Sequence, residues 1–287
     1  MEIRKVGYLK LSEIRKILAD SGLMLTKSLG QNFLHDGNQL ARIVSLASIN
    51  PGDRVLEVGP GMGALTGPLL DAGAHVTSIE KDQRLVDFLK NHRLQNHPRF
   101  ELIHDDALDL IKRHDRDWTG FKFVSNLPYS VGSPIIVELA LSAAPPDILV
   151  ISLQLEVIER IFAGAGKKEY GLLSILMQLT YEPVEYFKLP SGCFFPPPDV
   201  TSACGLLVRR PERPVRDRDE LLKVRDLVKK AFQQRRKTLA NSLKPQYTTE
   251  RVVAALDSVG HPPLQRPDKL SPDEFVQFFR LLTNTAD

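Results

Sequence analysis

Two short motifs in the chain have the residue types of a ligand site. The first is VLEVGPGMG at 55–63, in which an apolar, strand-like run leads into a glycine-rich turn containing Gly59 and Gly61. Glycines in such a turn let the backbone approach a ligand closely and adopt positive φ angles. The second is NLPY at 126–129, which directly follows another apolar run. Ligands of open α/β sheets bind at the carboxyl ends of strands, so both motifs indicate one binding site.

Acidic residues narrow the choice of ligand at the glycine-rich turn, because such a turn also occurs empty or with a dinucleotide such as NAD. Glu80 ends the next predicted strand, where a carboxylate can accept both hydroxyls of a ribose. Glu57 lies beside the turn, where a carboxylate repels a pyrophosphate and attracts a cation. It therefore favours S-adenosylmethionine, although capping of a backbone group is an alternative role. Asp106 follows the third strand and either holds an adenine amino group or is an ordinary loop residue.

The NLPY tetrapeptide has the groups that activate an exocyclic amine of a base. The lone pair of such an amine is conjugated into the ring and is a poor nucleophile. Two acceptors aimed at its hydrogens favour a tetrahedral nitrogen, and the side-chain carbonyl of Asn126 and the main-chain carbonyl of Leu127 can supply them. Pro128 holds the turn and offers no competing N–H, and Tyr129 can stack on the ring. The competing interpretation is a proline turn with a buried tyrosine.

Alternating strand and helix patterns position these motifs. From Pro51 onward, short apolar runs alternate with helical stretches, which is typical of a parallel, doubly wound α/β sheet. The predicted strands are 54–58, 75–80, 100–104, 121–125, 148–153, 183–189 and 201–208. Beyond Arg210 a polar linker with prolines leads into sequence with helical periodicity only, predicted as helices 219–243, 248–259 and 271–282. We therefore predict a domain boundary near residue 210.

Composition excludes several classes of protein. Of 287 residues, 43% are hydrophobic and 25% charged, which is typical of a globular chain. Two cysteines, Cys193 and Cys204, are too few for a disulfide framework or a four-cysteine cage, and the scattered histidines argue against a metal site. The most apolar stretch, 134–158, is interrupted by charge and by prolines, and the N-terminus lacks an apolar signal core. We expect a cytoplasmic protein.

Positive charge is concentrated in the C-terminal part of the chain. Thirteen basic and five acidic residues between 209 and 244 give a local net charge of +8, against +3 for the whole chain. This asymmetry indicates a surface that faces phosphates, although a solvated helix face is the alternative where the signs alternate. Within it we expect RNA contacts from Arg235, Arg236 and Lys237, and Lys27 is a further candidate.

Five motifs together resemble the bacterial small-subunit rRNA adenine N6-dimethyltransferases, the kasugamycin-resistance methyltransferases. They are GQNFL at 30–34, VLEVGPGMGALT at 55–66, NLPY at 126–129, FFPPPDVTSA at 194–203 and FQQRRKTLANSL at 232–243. The resemblance extends from about residue 27 to the C-terminus. It implies an S-adenosylmethionine site that uses Asn32, Leu34, Gly59, Glu80, Asp106 and Asn126.

The resemblance also implies architecture and substrate. A Rossmann-like class I methyltransferase domain, with a mostly parallel sheet and an antiparallel last strand, would occupy 1–210, of which 1–50 form a helical segment on the substrate side. A small all-α RNA-binding domain would occupy 211–287. Tyr129 and Phe194 would sandwich a flipped adenine. Two adjacent adenosines near the 3′ end of 16S rRNA, within an immature 30S subunit, would each receive two methyl groups. The sequence itself has no long exposed heptad that suggests an obligate dimer, so we expect a monomer.

Three other functions are weighed against this one. The macrolide-resistance methyltransferases modify an adenine of 23S rRNA, and the leucine of NLPY together with the QRRKT segment favours the small-subunit family instead. A DNA adenine methyltransferase is disfavoured because its tetrapeptide usually begins with aspartate. The chain could also act chiefly as a ribosome-assembly factor. Phe195 and Asp199 depart from the family pattern, where a smaller or basic residue is expected, and this bears on RNA contacts at that edge.

Overall fold

A seven-stranded sheet is the centre of the fold. The structure is a computed structural model and describes residues 5–21 and 32–284. In this part of the chain the strands are β1 (Phe33–Leu34), β2 (Arg54–Val58), β3 (His75–Glu80), β4 (Phe100–His104), β5 (Phe121–Asn126), β6 (Ile148–Gln154), β7 (Tyr181–Leu189), β8 (Phe194–Phe195) and β9 (Ser202–Arg209). The interior of β6 is buried throughout, as expected for a strand covered on both faces.

The sheet has the order β4-β3-β2-β5-β6-β9-β7. The five strands from β4 to β6 pair in parallel, and β9 pairs antiparallel with β6. The expected mostly parallel sheet with an antiparallel last strand is therefore confirmed. From β2 the chain continues to β3 and β4 on one side of the sheet, and it then returns to β5 on the other side of β2. The connections therefore run in opposite directions from β2 and β5, and a crevice opens at the carboxyl ends of these two strands. β1 and β8 form a separate two-stranded antiparallel sheet.

Helices connect the strands and make up the C-terminal part of the chain. Those in the described residues are α1 (Leu11–Ser21), α2 (Gly37–Leu46), α3 (Thr66–Asp71), α4 (Gln83–Phe88), α5 (Ala107–Lys112), α6 (Gly132–Ala140), α7 (Leu155–Phe162), α8 (Leu172–Gln178), α9 (Arg218–Gln233), α10 (Leu239–Leu243), α11 (Thr249–Ser258) and α12 (Pro272–Thr283). A π-helical turn, Leu89–Arg93, extends α4.

The prediction of one continuous helix over 219–243 is wrong. α9 ends at Gln233 and α10 begins at Leu239, and the residues between them form a turn. The reason is the Thr238 side chain, which accepts a hydrogen bond from the Asn241 N–H and so caps a new helix start. The basic QRRKT segment is consequently a turn between two helices rather than a helix face.

The chain divides into two compact units. The first contains the described residues up to Leu139, Ala144–Ile158 and Pro183–Arg209. The second contains Ala140–Ala143, Glu159–Glu182 and the described residues from Arg210 onward. The predicted boundary near residue 210 coincides with one junction, but residues 159–182, which we had placed in the first domain, lie in the second unit.

Packing explains the placement of 159–182. In the second unit α8 contacts α9 and α12, because its residues Ser174–Met177 are all buried and need apolar partners on several sides. The Tyr170 hydroxyl, just before α8, donates to the Leu270 carbonyl oxygen at 2.8 Å. The sequence alone does not show which unit buries α8.

Two searches of the described residues found nothing. No helix among residues 5–21 and 32–284 is long and apolar enough to cross a membrane. Over the same residues, no group of three or more histidine, cysteine, aspartate or glutamate side chains could hold a metal ion.

Candidate active site

A cavity of about 230 Å³ opens at the carboxyl ends of β2, β3 and β5 in the first unit. Its lining includes every residue predicted to bind the cofactor, namely Asn32, Leu34, Glu57, Gly59, Gly61, Glu80, Asp106 and Asn126. It also includes Leu127, Pro128 and Tyr129 of the tetrapeptide. Both sequence motifs therefore meet in one place.

The glycine-rich turn has a backbone that only glycine adopts without strain. Gly59 and Gly61 have φ angles of +67° and +57°. A Cβ at Gly61 would lie 2.8 Å from Phe33 Cε1, so the turn packs against β1 with no space for a side chain. A Cβ at Gly59 would lie 3.4 Å from Pro128 Cδ, which shows how closely the turn approaches the tetrapeptide.

Glu57 is fully buried under the turn. Its Oε2 atom accepts hydrogen bonds from Thr66 Oγ1 at 2.7 Å and from Ser78 Oγ at 2.8 Å. Burial raises the pKa of Glu57 from 4.5 to about 7, because the two hydroxyl donors only partly offset the loss of water around the carboxylate. The donors are side-chain hydroxyls, so the alternative role of capping a backbone group is not what these contacts show.

Glu80 is held in place by three backbone amides. Its Oε1 atom accepts from the N–H groups of Lys81 and Asp82, each at 2.9 Å, and Oε2 accepts from the Gly61 N–H at 3.3 Å. Burial raises the pKa of Glu80. The carboxylate is thereby fixed at the end of β3 and tied to the glycine-rich turn.

Asp106 caps α5 and forms an ion pair. Its Oδ1 atom accepts from the N–H groups of Leu108 and Asp109, and its Oδ2 lies 2.7 Å from Lys81 Nζ. The hydrogen bond from Lys81 lowers the pKa of Asp106, so the side chain is ionised at neutral pH. Asp106 is therefore both a helix cap and part of the cavity wall.

Asn126 presents an unused acceptor. Its Nδ2 atom donates to the Asn32 carbonyl oxygen at 3.1 Å, which fixes the orientation of the amide. No donor among the described residues reaches the buried Oδ1 atom. A buried acceptor without a donor costs about 1–3 kcal/mol, so its presence at the cavity indicates a ligand group that donates to it.

Tyr129 lines the cavity and Phe194 does not. The Tyr129 hydroxyl is hydrogen-bonded to Ser202 Oγ at the start of β9. Phe194 pairs with Leu34 across the small β1–β8 sheet, and its ring is 2% exposed within the hydrophobic core. Phe194 is therefore not presented to the cavity in this structure, and the sandwich of Tyr129 and Phe194 around a base stays a prediction.

Comparison with known proteins identifies the family. The family model described as ribosomal RNA adenine dimethylase matches residues 23–284. The chain belongs to this family. It is 38% identical to the Ribosomal RNA small subunit methyltransferase A of Chlamydia abortus, over 96% of this chain and 98% of that protein. The protein of the same name from Acinetobacter baylyi is also 38% identical, over 90% and 92%.

Solved structures agree with this assignment. The crystal structure of the 23S rRNA methyltransferase ErmE is 30% identical, with a TM-score of 0.66, covering 88% of this chain and 100% of that one. A dimethyladenosine transferase from Plasmodium falciparum has the same TM-score at 22% identity, covering 86% and 95%, and supports the fold alone. The chain is therefore a Rossmann-like, S-adenosylmethionine-dependent rRNA adenine dimethyltransferase, as the motifs predicted.

The residues of this rRNA adenine dimethylase fit the methyl donor. The fixed carboxylate of Glu80 suits a ribose, and the glycine-rich turn, which has no side chains at Gly59 and Gly61, lets a ligand approach the backbone beside it. Much of the wall is apolar, including Leu65, Ile79 and Leu85. Such a mixture of apolar lining and a few fixed polar groups is typical of a cofactor site.

The residues predicted to contact RNA do not line the cavity. Arg235, Arg236 and Lys237 are exposed on the turn between α9 and α10 in the second unit. The Arg235 Nη2 atom donates to the Lys168 carbonyl oxygen of the same unit. Lys27 lies outside the described residues.

The predicted site left out Ser202, which binds Tyr129, and also Phe33 and Lys81 at the cavity. Phe33 lines it and lies between the two GQNFL residues that were named. Lys81 lines it beside Asp106, and its position directly after Glu80 was the available signal. Ser202 binds the Tyr129 hydroxyl from 73 residues away, and no local pattern connects the two.

Proposed function

We propose that this enzyme transfers methyl groups from S-adenosylmethionine to N6 of two adjacent adenosines near the 3′ end of 16S rRNA. The substrate would be the 30S subunit, and the modification would contribute to ribosome biogenesis. The observation that supports a base amine as the acceptor is the unpaired Oδ1 atom of Asn126 at the cavity. We further propose that the enzyme works in the cytoplasm as a monomer and without a metal.

Asn126 and Leu127 activate the adenine amine. Asn126 Oδ1 accepts one N6 hydrogen, and the Leu127 main-chain carbonyl accepts the other. The next carbonyl, that of Pro128, is already occupied by the N–H groups of Val131 and Gly132. Two acceptors aimed in this way favour a tetrahedral nitrogen, whose lone pair then points at the methyl group. The N6 proton leaves to solvent after the nitrogen has gained the methyl group.

Tyr129 supports the base from one face. The hydrogen bond to Ser202 holds the phenol ring in place before the base arrives. A stacked aromatic side chain contributes on the order of 1–3 kcal/mol per base. We assign this role to Tyr129 alone, because the Phe194 ring is buried in the core.

Glu80 and Asp106 orient the methyl donor. Bound S-adenosylmethionine supplies an electrophilic methyl group on a sulfonium sulfur. Glu80 accepts the ribose hydroxyls, and Asp106 takes the adenine amino group of the cofactor in place of the exposed Lys81. Glu57, Gly59, Gly61, Asn32 and Leu34 complete the binding site.

The comparison with relatives favours the small subunit as the source of the adenosines. The full-length bacterial relatives at 38% identity are named as small-subunit enzymes, whereas the 23S enzyme ErmE is 30% identical. The exposed turn 235–237 and Lys27 would bind phosphates of the RNA. Such contacts make affinity fall steeply with salt.

Methyl transfer from labelled S-adenosylmethionine tests the proposal. The purified protein is incubated with 30S particles from a strain that lacks this modification, and in parallel with 23S rRNA and with fully modified 30S particles. We expect incorporation only into the undermethylated 30S particles, approaching four methyl groups per particle, and a rate about 10²–10³-fold lower with Asn126→Ala. Incorporation into 23S rRNA alone would assign the enzyme to the other substrate.

A further inference from the structure

A short segment near the N-terminus is attached to the helix that follows the glycine-rich turn. The N–H groups of Val6 and Gly7 donate to Asp71 Oδ1 and Oδ2, each at 2.8 Å. Asp71 is the last residue of α3. Leu9 is buried in the core of the first unit, so the segment is anchored at both ends. We refer to residues 6–9 as the N-terminal strap.

Arg93 connects the N-terminal strap to the glycine-rich turn. Its Nη2 atom donates to the Gly7 carbonyl oxygen at 2.8 Å, and its Nε atom donates to the Gly63 carbonyl oxygen at 3.3 Å. The π-helical turn Leu89–Arg93 brings this side chain to the carbonyls, and such turns are frequent at functional sites. One guanidinium therefore bridges two segments that are separated by more than fifty residues.

The N-terminal strap and Arg93 pack tightly against α3. A Cβ placed on the buried Gly67 of α3 would lie 2.6 Å from the Gly7 carbonyl oxygen and 3.0 Å from Arg93 Nη2. The N-terminal strap thus lies directly on the backbone of α3. Any movement of the turn relative to α3 would have to break the Arg93 bridge.

A fixed backbone in the glycine-rich turn favours ligand binding. The turn contains three glycines with positive φ, at positions 59, 61 and 63, and glycine loses more conformational freedom than any other residue when it is ordered. A turn that is already fixed avoids that entropic cost when a ligand binds. The family match begins at residue 23, so it does not cover the N-terminal strap or assign it a role.

We propose that Arg93 is a positioning residue for the cofactor site, which it serves by locking the glycine-rich turn to the N-terminal strap. The inference rests on the proposed assignment of this turn to S-adenosylmethionine. Neither Arg93 nor the N-terminal strap lines the cavity. Their effect is on the affinity for the cofactor and not on the methyl-transfer step.

Two substitutions loosen the N-terminal strap at different contacts. Arg93→Lys keeps the charge but replaces two donor nitrogens by one, which loses the geometry that spans both carbonyls. Asp71→Asn leaves one strap amide without an acceptor. Arg99→Lys is the matched control, since Arg99 Nη2 donates at 2.8 Å to the Leu70 carbonyl of the same helix without touching the turn. Calorimetry gives the Kd of S-adenosylhomocysteine, thermal unfolding gives Tm, and steady-state assays give kcat.

We expect Arg93→Lys and Asp71→Asn each to raise Kd about 3- to 10-fold, the range set by one or two lost hydrogen bonds. The variant that carries both substitutions should bind S-adenosylhomocysteine no more weakly than Arg93→Lys does. In all these variants kcat at saturating cofactor should be unchanged. Arg99→Lys should lower Tm to a similar extent as Arg93→Lys does, while its Kd for S-adenosylhomocysteine stays within about twofold of the wild-type value. An equal rise in Kd for Arg99→Lys would overturn the inference, because the effect would then be general destabilisation.

A fourth variant separates this inference from the proposed site. Glu80→Gln removes a charge that lines the cavity and should weaken binding if the cofactor lies there. If Glu80→Gln binds normally, the site assignment fails. If Glu80→Gln binds weakly and Arg93→Lys binds like the wild type, the site stands and the positioning role of Arg93 is refuted.

Discussion

Glu57 gives the molecule a titration that stability measurements can detect. The carboxyl group is 1% exposed, and burial raises its pKa from 4.5 to about 7. Glu57→Gln is the informative change. The glutamine amide oxygen can still accept from Thr66 and Ser78, but the side chain can no longer ionise.

The sign and size of the effect follow from proton linkage. Between pH 4.5 and 7 the folded protein holds a proton on Glu57 that the unfolded chain has released. The free energy of unfolding therefore falls as pH rises through this range, and the loss is complete above about pH 7. A shift of about 2.5 pKa units at about 1.4 kcal/mol each corresponds to about 3 kcal/mol. Glu57→Gln lacks this component.

Urea unfolding of both proteins at pH 5, 6, 7 and 8 measures the difference. Other carboxyl groups titrate equally in the two proteins and cancel in the comparison. We expect the stability of Glu57→Gln relative to the wild type to increase by about 2.5 kcal/mol from pH 5 to pH 8. Parallel stability curves for the two proteins would refute the reasoning, since Glu57 would then titrate as an exposed carboxyl does.

The same titration tests the role of Glu57 toward a cationic ligand. Only the ionised carboxylate attracts a sulfonium, so the preference for S-adenosylmethionine over the uncharged-sulfur product should increase with pH in the wild type. In Glu57→Gln this preference should not depend on pH. Calorimetry with both ligands at pH 6 and pH 8 provides the measurement, and an identical pH dependence in both proteins would contradict the counter-charge role.

Three further predictions follow from the geometry. Gly61→Ala should weaken cofactor binding at least about 10-fold by calorimetry, because it combines a left-handed φ, which costs about 1–2 kcal/mol, with a Cβ 2.8 Å from Phe33. Asn126→Ala should lower methyl transfer by about 10²–10³-fold while changing the free energy of unfolding by less than about 1 kcal/mol, since it also removes an unpaired acceptor. Replacing Arg235, Arg236 and Lys237 by alanine should reduce the salt dependence of RNA binding, with the slope of log K against log[KCl] smaller by about 2 to 3.

The sheet could be predicted because its signals are local. The five parallel strands are short apolar runs bounded by turns, and their predicted limits agree with the structure to within one residue. The glycines at 59 and 61 were equally readable, since no other residue adopts their φ without strain. The cavity followed from these two facts and the rule that strand ends meet at one edge.

The features that the sequence did not show have different physical causes. Phe194 was assigned to the base from its motif, but in the structure β8 pairs with β1 and Phe194 is buried in the core. Residues 159–182 were placed in the first domain, yet only their partners in the second unit decide where they pack. Both outcomes depend on long-range packing, which no local pattern encodes. The break in the predicted helix 219–243 is local instead, because the Thr238 side chain accepts from the Asn241 N–H and caps a new helix within continuous helical periodicity.

Asn126 shows how the fold maintains a costly group. An amide with an unpaired oxygen would normally rotate to find a donor. Here the Asn32 carbonyl accepts from Nδ2, and a rotated amide would place two oxygens against each other. Asn32 is in turn fixed by its neighbours Phe33 and Leu34, which pair with β8. The small β1–β8 sheet therefore helps to fix the Asn126 oxygen at the cavity with no ligand present, and such preorganisation is what the proposed alignment of the amine would require.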